Sequence, residues 1–232
     1  MKAIKFNLRG KFAHFKIPEV NSYAYFTYSH IHKVALLGIL GAILGLRGYG
    51  NSSGNLPEFY EKLKDFKISI IPKKPYFTKK IQVFNNSVGY ASEEQGGNLI
   101  VREQLLENPS WDILIMENES DEFSELKTRL FKKEFYYIPY LGKNDFPAII
   151  DNVEELTLQK ATKPLECISL VPKDKIKFIK PNRERVFYYE EYLPVRLKEK
   201  YLIYEFEKMV LSSWVVDGDE MWEIDGKGVW CG

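Results

Sequence analysis

Three histidines lie within the first 32 residues, among tyrosines and lysines that could share chemistry with them. The histidines are His14, His30 and His32, and their neighbours in the sequence are Tyr23, Tyr25, Tyr28 and Lys33. A His–Tyr–Lys set can cleave RNA without a metal, because a base takes the 2′-hydroxyl proton and an acid protonates the leaving oxygen. Metal binding is disfavoured, since no cysteine and no acid except Glu19 lies nearby. Loop and helix-start positions explain each histidine more simply, so we predict no catalytic residue and no metal ligand.

Acidic residues near the C-terminus could suggest a calcium site. They are Asp217, Asp219, Glu220, Glu223 and Asp225. Their spacing lacks the glycine and the glutamate that occupy the sixth and twelfth positions of a calcium-binding loop. We therefore predict a solvated acidic turn.

The segment from Gly45 to Asn55 is rich in glycine and contains Arg47. It follows a predicted helix and has no Gly-Lys-Ser/Thr ending, which argues against a nucleotide-binding P-loop. Two interpretations remain. The segment is either a helix C-cap with a loop, or a backbone-lined bed for a phosphodiester strand. The segment alone does not decide between them.

Basic residues are concentrated in the first part of the chain. Residues 1–92 contain 14 basic and four acidic residues, whereas the rest contains 19 basic and 28 acidic residues. Phe66 to Ser92 has five lysines and no acid. This segregation favours a polyanionic partner, although charges separated in sequence could mix again in the fold. Lysines interleaved with aromatic rings indicate single-stranded RNA or a guide duplex.

The composition limits the class of protein. The 232 residues are 45% hydrophobic and 15% aromatic, which is ample for a core and excludes intrinsic disorder. Two cysteines, Cys167 and Cys231, exclude a disulfide-built miniprotein and fit a reducing compartment. The longest apolar run, Val34 to Leu46, is shorter than the roughly 20 residues that cross a bilayer. The start does not resemble a signal peptide. We predict a cytoplasmic protein without membrane contact.

The sequence predicts both helices and strands as the elements that position the candidate residues. Lys2 to Leu8 alternates polar and apolar residues, which is typical of a strand with one solvent-facing side. A helix is predicted from about His30 to Leu46, capped by Thr27 or Ser29, and its glycines indicate close packing against a sheet. The other elements predicted before residue 148 are a helix at Pro57–Phe66, a strand at Lys67–Ile71, short strands at Lys80–Phe84 and Asn98–Arg102, a strand at Trp111–Met116, a helix at Glu122–Lys132 and an extended segment at Glu134–Tyr140.

This order of elements predicts an α+β protein. Residues 1–148 are expected to form a ferredoxin-like domain, and about residues 72–105 a protruding hairpin or flap with a polar centre. Residues 149–232 show short strands with turns, so we predict a smaller β-rich C-terminal lobe.

Four segments carry a resemblance to a known family. They are Phe6–Phe15 (FNLRGKFAHF), Leu36–Leu46 (LLGILGAILGL), Arg102–Pro109 (REQLLENP) and Tyr137–Asp145 (YIPYLGKND). Together they resemble the Cas-five family, the RAMP-type subunit of type I CRISPR interference complexes, and the type I-B variant is most similar. The resemblance spans nearly all of the first 150 residues.

The resemblance implies an RRM-like body with a β-hairpin thumb and a non-catalytic role. Such a subunit caps the 5′ handle of the CRISPR RNA within the Cascade complex. The implied partners are the CRISPR RNA, the Cas-seven backbone subunit, the Cas-eight large subunit and, through the complex, the target DNA. No cofactor is expected.

The resemblance also implies which positions face the RNA. They are the loop Gly10–Phe15, the glycine-rich loop and the flap from Lys73 to Arg102. From charge and placement we predict the RNA-binding residues Lys11, His14, Arg47, Lys73, Lys74, Lys79, Lys80, Gln82, Asn85, Asn86 and Arg102.

One branch of the family gives the alternative. In type I-C systems the subunit itself cuts precursor RNA with a Tyr, Lys and His set, whereas in most other type I systems a separate Cas-six nuclease cuts. This chain has those residue types but not that branch's pattern. A metal-independent endoribonuclease therefore stands as the second hypothesis beside a non-catalytic RNA-capping subunit.

Overall fold

A computed structural model describes residues 1–19, 23–50, 56–87, 93, 98–180, 182, 186–199 and 202–232. The helices are α1 (Lys33–Leu44), α2 (Glu58–Leu63) and α3 (Asp121–Lys132), with a 3-10 turn at Lys173–Lys175. The strands are β1 (Lys2–Arg9), β2 (Phe12–Ala13), β3 (Ile68–Pro72), β4 (Lys79–Asn85), β5 (Ile100–Glu107), β6 (Ser110–Met116), β7 (Ile149–Thr157), β8 (Gln159–Lys160), β9 (Leu165–Glu166), β10 (Val171–Pro172), β11 (Lys177–Ile179), β12 (Tyr188–Leu197), β13 (Tyr204–Ser212), β14 (Val215–Asp217), β15 (Met221–Ile224) and β16 (Lys227–Trp230).

A four-stranded antiparallel sheet forms the framework, in the order β3–β6–β1–β7. Along the chain, α1 lies between β1 and β3, and α3 lies between β6 and β7. Phe6, Leu8 and Ile113 of the sheet pack in one cluster with Leu40 of α1 and Leu126 of α3. The predicted α+β class is confirmed.

The second face of the sheet is covered as well. Ala3 packs there with Val229 of β16. Asn7, which the alternation places toward solvent, is buried, and its amide donates to the Trp111 carbonyl at 3.1 Å and to Asp112 Oδ1 at 3.0 Å. The predicted solvent-facing side of this strand is therefore only partly correct, because Lys5 keeps a side chain that is 24% exposed, whereas Asn7 is buried and C-terminal residues pack over Ala3.

The apolar run after residue 33 forms the 12-residue helix α1, and its N-cap differs from the prediction. His32 Nδ1 accepts a hydrogen bond from the Ala35 N–H at 3.2 Å. Thr27 and Ser29, the predicted caps, bond to residues outside the helix. No helix in the described part of the chain is both long and apolar enough to cross a membrane.

The structure explains why glycine occurs at two positions of this run. Gly45 ends α1 in the left-handed region with φ 78°, as the C-cap interpretation predicts. A Cβ atom on Gly41 would clash with Phe59 of α2. The expected close packing is present, but its partner is α2 rather than a sheet. Residues 51–55 of the glycine-rich segment lie outside the described residues.

The segment Glu134 to Tyr140 is not a strand of the sheet. The N–H groups of Tyr136 and Tyr137 donate to the carbonyls of Ile43 and Ala42 at 3.1 and 3.0 Å. They bind carbonyls of the last turn of α1, of which the Ala42 carbonyl also accepts from the Gly45 N–H at 3.3 Å. The fourth strand of the sheet is β7 instead, and the predicted extended segment is corrected on this point.

The flap contains the antiparallel pair β4 and β5, in register from Lys79 opposite Leu106 to Asn85 opposite Ile100. Strand β2 pairs with the other edge of β5, which gives the order β2–β5–β4. Residues 88–92 and 94–97, most of the predicted polar centre, lie outside the described residues.

The chain after β7 consists mainly of short strands. They form the three-stranded sheets β10–β13–β12, β11–β14–β9 and β16–β15–β8. The second of these sheets includes the two-residue strand β9, and the third includes the two-residue strand β8. Leu193 of β12 and Leu211 of β13 belong to the same core cluster as α1. Because β7 pairs with β1, the central sheet extends beyond residue 148. The division into domains at residues 148 and 149 stays a prediction.

Candidate nucleic-acid interface

The pairing of β4 with β5 gives the flap two faces. The outer face, as we call it, carries Lys79, Ile81, Val83 and Asn85 with Ile100 and Arg102, and the inner face carries Lys80, Gln82 and Phe84 with Val101 and Glu103. On the inner face the β5 side chains are buried, whereas on the outer face Ile81, Val83 and Ile100 are 45%, 56% and 50% exposed. The predicted RNA-binding residues are thus divided between the faces. Since β4 is an edge strand, an RNA strand along its edge could meet both sets.

Two of the predicted RNA-binding cations are already paired with carboxylates. Arg47 Nε lies 3.1 Å from Glu58 Oε2, and the Lys73 ammonium lies 2.9 Å from Asp112 Oδ2. Hydrogen bonds from the backbone and side chain of Arg47 lower the pKa of Glu58. A phosphate would have to compete with these carboxylates, so Arg47 and Lys73 offer less net charge to RNA than unpaired cations do.

Lys79 is fixed at the base of the flap. Its ammonium donates to the Thr27 carbonyl at 3.1 Å, and burial lowers its pKa. Arg102 lies over the ring of Tyr23, with 5.6 Å between the guanidinium carbon and the ring centre. Arg102 is exposed beside this ring.

The remaining predicted cations, Lys11, Lys74 and Lys80, are exposed. Gln82 is exposed on β4 as well, and so are Asn85 and Asn86. The Asn85 side chain donates to Asn98 Oδ1 at 3.2 Å and accepts from the Ser87 N–H at 2.9 Å. Asn85 therefore shapes the start of the turn.

All three histidines are buried, with His14 4%, His30 1% and His32 3% exposed, and His30 and His32 lie in the core. His30 accepts from Trp111 Nε1 at 3.5 Å, and burial lowers its pKa to about 4. Burial lowers the pKa of His32 to about 3, and this ring caps α1. Their positions match the interpretation that these residues serve the fold. No group of three or more His, Cys, Asp or Glu that could hold a metal ion occurs among the residues that the structure describes.

A groove of about 1010 Å³ runs beside α1. We call it the α1 groove. Its floor is formed by Ala35, Gly38, Ile39 and Ala42 of the helix, and its walls include His14, Lys16, Tyr25, Tyr49, Glu103, Tyr137, Ile138, Tyr140, Gly142 and Lys143. Small floor residues and ring-bearing walls leave room for a flat aromatic group.

His14 is the one predicted RNA-binding residue that lines the α1 groove. Its Nδ1 lies 2.9 Å from the Gln104 carbonyl oxygen. A carbonyl only accepts, so Nδ1 carries the hydrogen in this contact. Burial lowers the pKa of His14. The ring is therefore neutral near pH 7, with Nε2 as an acceptor.

An ion pair that the sequence did not indicate lies on the groove wall. The Lys143 ammonium is 2.7 Å from the carboxylate of Glu103, which is only 7% exposed. Lys143 also lies 5.4 Å from the centre of the Phe84 ring. The signal that could have found this wall is the aromatic run Phe135–Tyr140 just before Lys143, the same mixture of rings and lysine that distinguishes the flap.

Comparison with known proteins gives matches among solved structures alone, since no protein-family model and no curated protein sequence matches the chain. A protein in a structure titled CRISPR RNA-guided surveillance complex superposes with a TM-score of 0.55 and 14% identity over 91% of each chain. A CRISPR protein from Archaeoglobus fulgidus superposes with a TM-score of 0.56 and 11% identity, over 100% of this chain and 99% of that one. The chain has the fold of these CRISPR proteins.

The same fold occurs in a third structure. A protein of a type III-B Cmr-beta complex bound to cognate target RNA superposes with a TM-score of 0.51 and 8% identity, over 93% of this chain and 86% of that one. At such low identities the similarity is one of fold. With the Archaeoglobus fulgidus protein the similarity covers the whole chain, including the C-terminal strands, which the sequence resemblance covers only vaguely.

Proposed function

We propose that this chain is a Cas-five-type subunit of a CRISPR effector complex and caps the 5′ handle of the CRISPR RNA. The observation that carries the proposal is the fold shared, over 91% of both chains, with a protein of an RNA-guided surveillance complex. The four segments that resemble the type I-B variant support the finer assignment. In this role the chain binds CRISPR RNA in the cytoplasm, contacts the Cas-seven and Cas-eight subunits, and meets target DNA only through the complex.

A ferredoxin-like, RRM-like body is part of this proposal. The sheet order β3–β6–β1–β7 supports it, together with the connections through α1 and α3. Two interleaved strand–helix–strand units in one antiparallel sheet are the pattern of that fold. The β4–β5 pair takes the place of the thumb.

RNA binding in this proposal relies on exposed cations. Lys11, Lys74, Lys80 and Arg102 are exposed on or next to the flap. Such groups hold phosphates through charge neutralisation and the release of counterions. A single strand that follows the β4 edge would place its phosphates against these side chains and turn its bases toward nearby rings.

The test is binding to matched RNAs. We expect an RNA that begins with the repeat-derived handle to bind about tenfold more tightly than a scrambled RNA of equal length, which is the contribution of one good base-specific contact. Fluorescence anisotropy with labelled RNA at 0.1 M salt measures both affinities. Equal affinities without any salt dependence would contradict the proposal.

A metal-independent endoribonuclease is the second candidate, and one observation favours it. The α1 groove brings His14 together with Tyr25, Tyr140 and Lys143. A neutral His14 could take a proton from a 2′-hydroxyl. We nevertheless propose a non-catalytic subunit, because the Lys143 ammonium is held by the Glu103 carboxylate and His30 and His32 are enclosed in the core.

Incubation of repeat RNA with the wild-type protein in a chelator is expected to leave the RNA intact. His14→Ala should weaken binding, and His30→Ala and His32→Ala should lower the melting temperature, because these two rings serve packing and capping. Gel analysis of end-labelled RNA measures cleavage. Specific cutting within the repeat that His14→Ala abolishes would establish the nuclease instead.

A further inference from the structure

We propose that the α1 groove binds one unpaired RNA base that carries an exocyclic amino group, and that His14 Nε2 accepts a hydrogen bond from that amino group. The inference rests on the proposed function, since it names which part of the RNA enters which part of the protein. The amino groups meant here are cytosine N4 and adenine N6; uracil and guanine present the carbonyl oxygens O4 and O6 at the equivalent positions, and the guanine amino group lies at the other end of its pairing edge.

The shape of the α1 groove suits a base rather than a phosphate. Three of the four floor residues, Ala35, Gly38 and Ala42, have no side chain larger than a methyl group, so a flat ring can approach the helix at these positions, beside the apolar side chain of Ile39. Tyr137 and Tyr140 are 56% and 46% exposed and border the same space. Aromatic rings next to a flat floor stack bases well, because every base has a π-face.

The charges around the groove also favour a base inside it and a phosphate outside it. Lys143 is neutralised by Glu103 at 2.7 Å, so the interior wall offers little net charge to a phosphate. Lys16 lies outside that pair, 4.1 Å from the centre of the Tyr25 ring. Its ammonium is available to the backbone phosphate of a nucleotide whose base is inserted.

The wall that carries His14 is held in place by its own backbone. The His14 N–H donates to the Leu141 carbonyl at 3.0 Å. Gly142 has φ 87°, and a Cβ atom there would collide with the His14 carbonyl oxygen. The segment that carries Tyr137 is tied to α1, because the Tyr137 N–H donates to the Ala42 carbonyl at 3.0 Å. The groove is therefore formed before RNA arrives, which reduces the entropic cost of binding.

The tautomer of His14 sets the specificity. With Nδ1 donating to the Gln104 carbonyl, the neutral ring can only accept at Nε2. An amino group satisfies that acceptor. The O4 atom of uracil would place a second acceptor against it, and a buried acceptor without a donor costs more than the hydrogen bond gains.

The experiment uses handle RNAs with 2-aminopurine at one position at a time, followed by cytosine-to-uracil and adenine-to-inosine exchanges at the position whose fluorescence the protein quenches. We expect the amino base to bind about tenfold more tightly than its carbonyl counterpart, the contribution of one hydrogen bond and of an avoided repulsion. His14→Asn should remove this preference. Asparagine keeps a donor near Nδ1 for the Gln104 carbonyl but has no atom at the position of Nε2.

A second pair of variants tests the stacking without altering the fold. Tyr137→Ala should weaken binding at least fivefold and remove the quenching, whereas Tyr137→Phe should bind like wild type, because only the ring is needed. Tyr192→Ala, at an equally exposed tyrosine on β12, is the matched control. A wild-type protein that binds handle RNA without preference for an amino base, or with a preference that His14→Asn retains, would refute the groove assignment alone. A wild-type protein that binds no handle RNA would refute both this inference and the proposed function.

Discussion

Simultaneous replacement of Lys11, Lys74 and Lys80 by alanine is expected to weaken binding of handle-bearing RNA about 100-fold at 0.1 M salt. Each lost phosphate contact on single-stranded RNA lowers the slope of log affinity against log salt by about 0.7, which is about fivefold per contact between 1 M and 0.1 M salt. Three contacts therefore change the slope by about 2. Fluorescence anisotropy over a salt series measures both quantities.

Two control proteins separate local contacts from overall charge. Lys163, Lys177 and Lys180 are exposed in the C-terminal part, and their triple alanine variant loses the same charge. It should bind within about twofold of wild type. Replacement of the ion-paired Arg47 and Lys73 should cost less per residue than replacement of the unpaired lysines. Equal losses in the two triple variants would show that the RNA responds to net charge and not to the flap.

Acidification from pH 7.5 to pH 5.5 is expected to lower the free energy of unfolding by about 3 kcal/mol through His30 and His32 alone. Burial lowers their pKa values to about 4 and about 3, from an ordinary value of 6.5 in the unfolded chain. Below pH 6.5 the unfolded state therefore binds protons that the folded state does not. Stability falls by about 1.4 kcal/mol per pH unit for each histidine. His14 acts in the same direction.

Urea unfolding at a series of pH values measures this dependence. His32→Asn is the informative variant, because asparagine is a good N-cap that does not titrate. It should keep most of the stability at pH 7.5 and reduce the loss at pH 5.5 by about 1.4 kcal/mol. His32→Ala should already lose about 1 kcal/mol at pH 7.5, since the cap is gone. An unchanged pH dependence in His32→Asn would show that this ring does not titrate as its burial implies.

Local sequence patterns predict correctly the helices and strands whose apolar residues form a long run or a regular stripe. The apolar run of α1, the amphipathic stripe of α3 and the buried strand β6 all occur close to their predicted positions. The prediction of an extended strand-like segment at Glu134–Tyr140 was wrong because it relied on the high strand propensity of tyrosine alone. The conformation of this segment is set by a contact distant in sequence, because the N–H groups of Tyr136 and Tyr137 bond to the end of α1.

The candidate interface was only partly predictable for the same reason. Composition identified the basic flap, but it could not show that Lys73 pairs with Asp112, which lies on another strand. His32 as an N-cap was hidden because histidine is not among the preferred capping residues. The α1 groove exists only because residues 137–143 fold back onto α1 and the His14 segment, so no local window of sequence contains it.

The pairing of β7 with β1 has a consequence for the nascent chain on the ribosome. Lys2 lies opposite Thr157, and Arg9 opposite Ile149, so within this sheet the strand that is synthesised first pairs with the strand that is synthesised last. Until β7 emerges, β1 has an open edge on that side, and open edges invite pairing with other chains. Contacts so distant in sequence also close slowly. The nascent chain is therefore expected to be most exposed to such pairing between the emergence of β1 and that of residues 149–157.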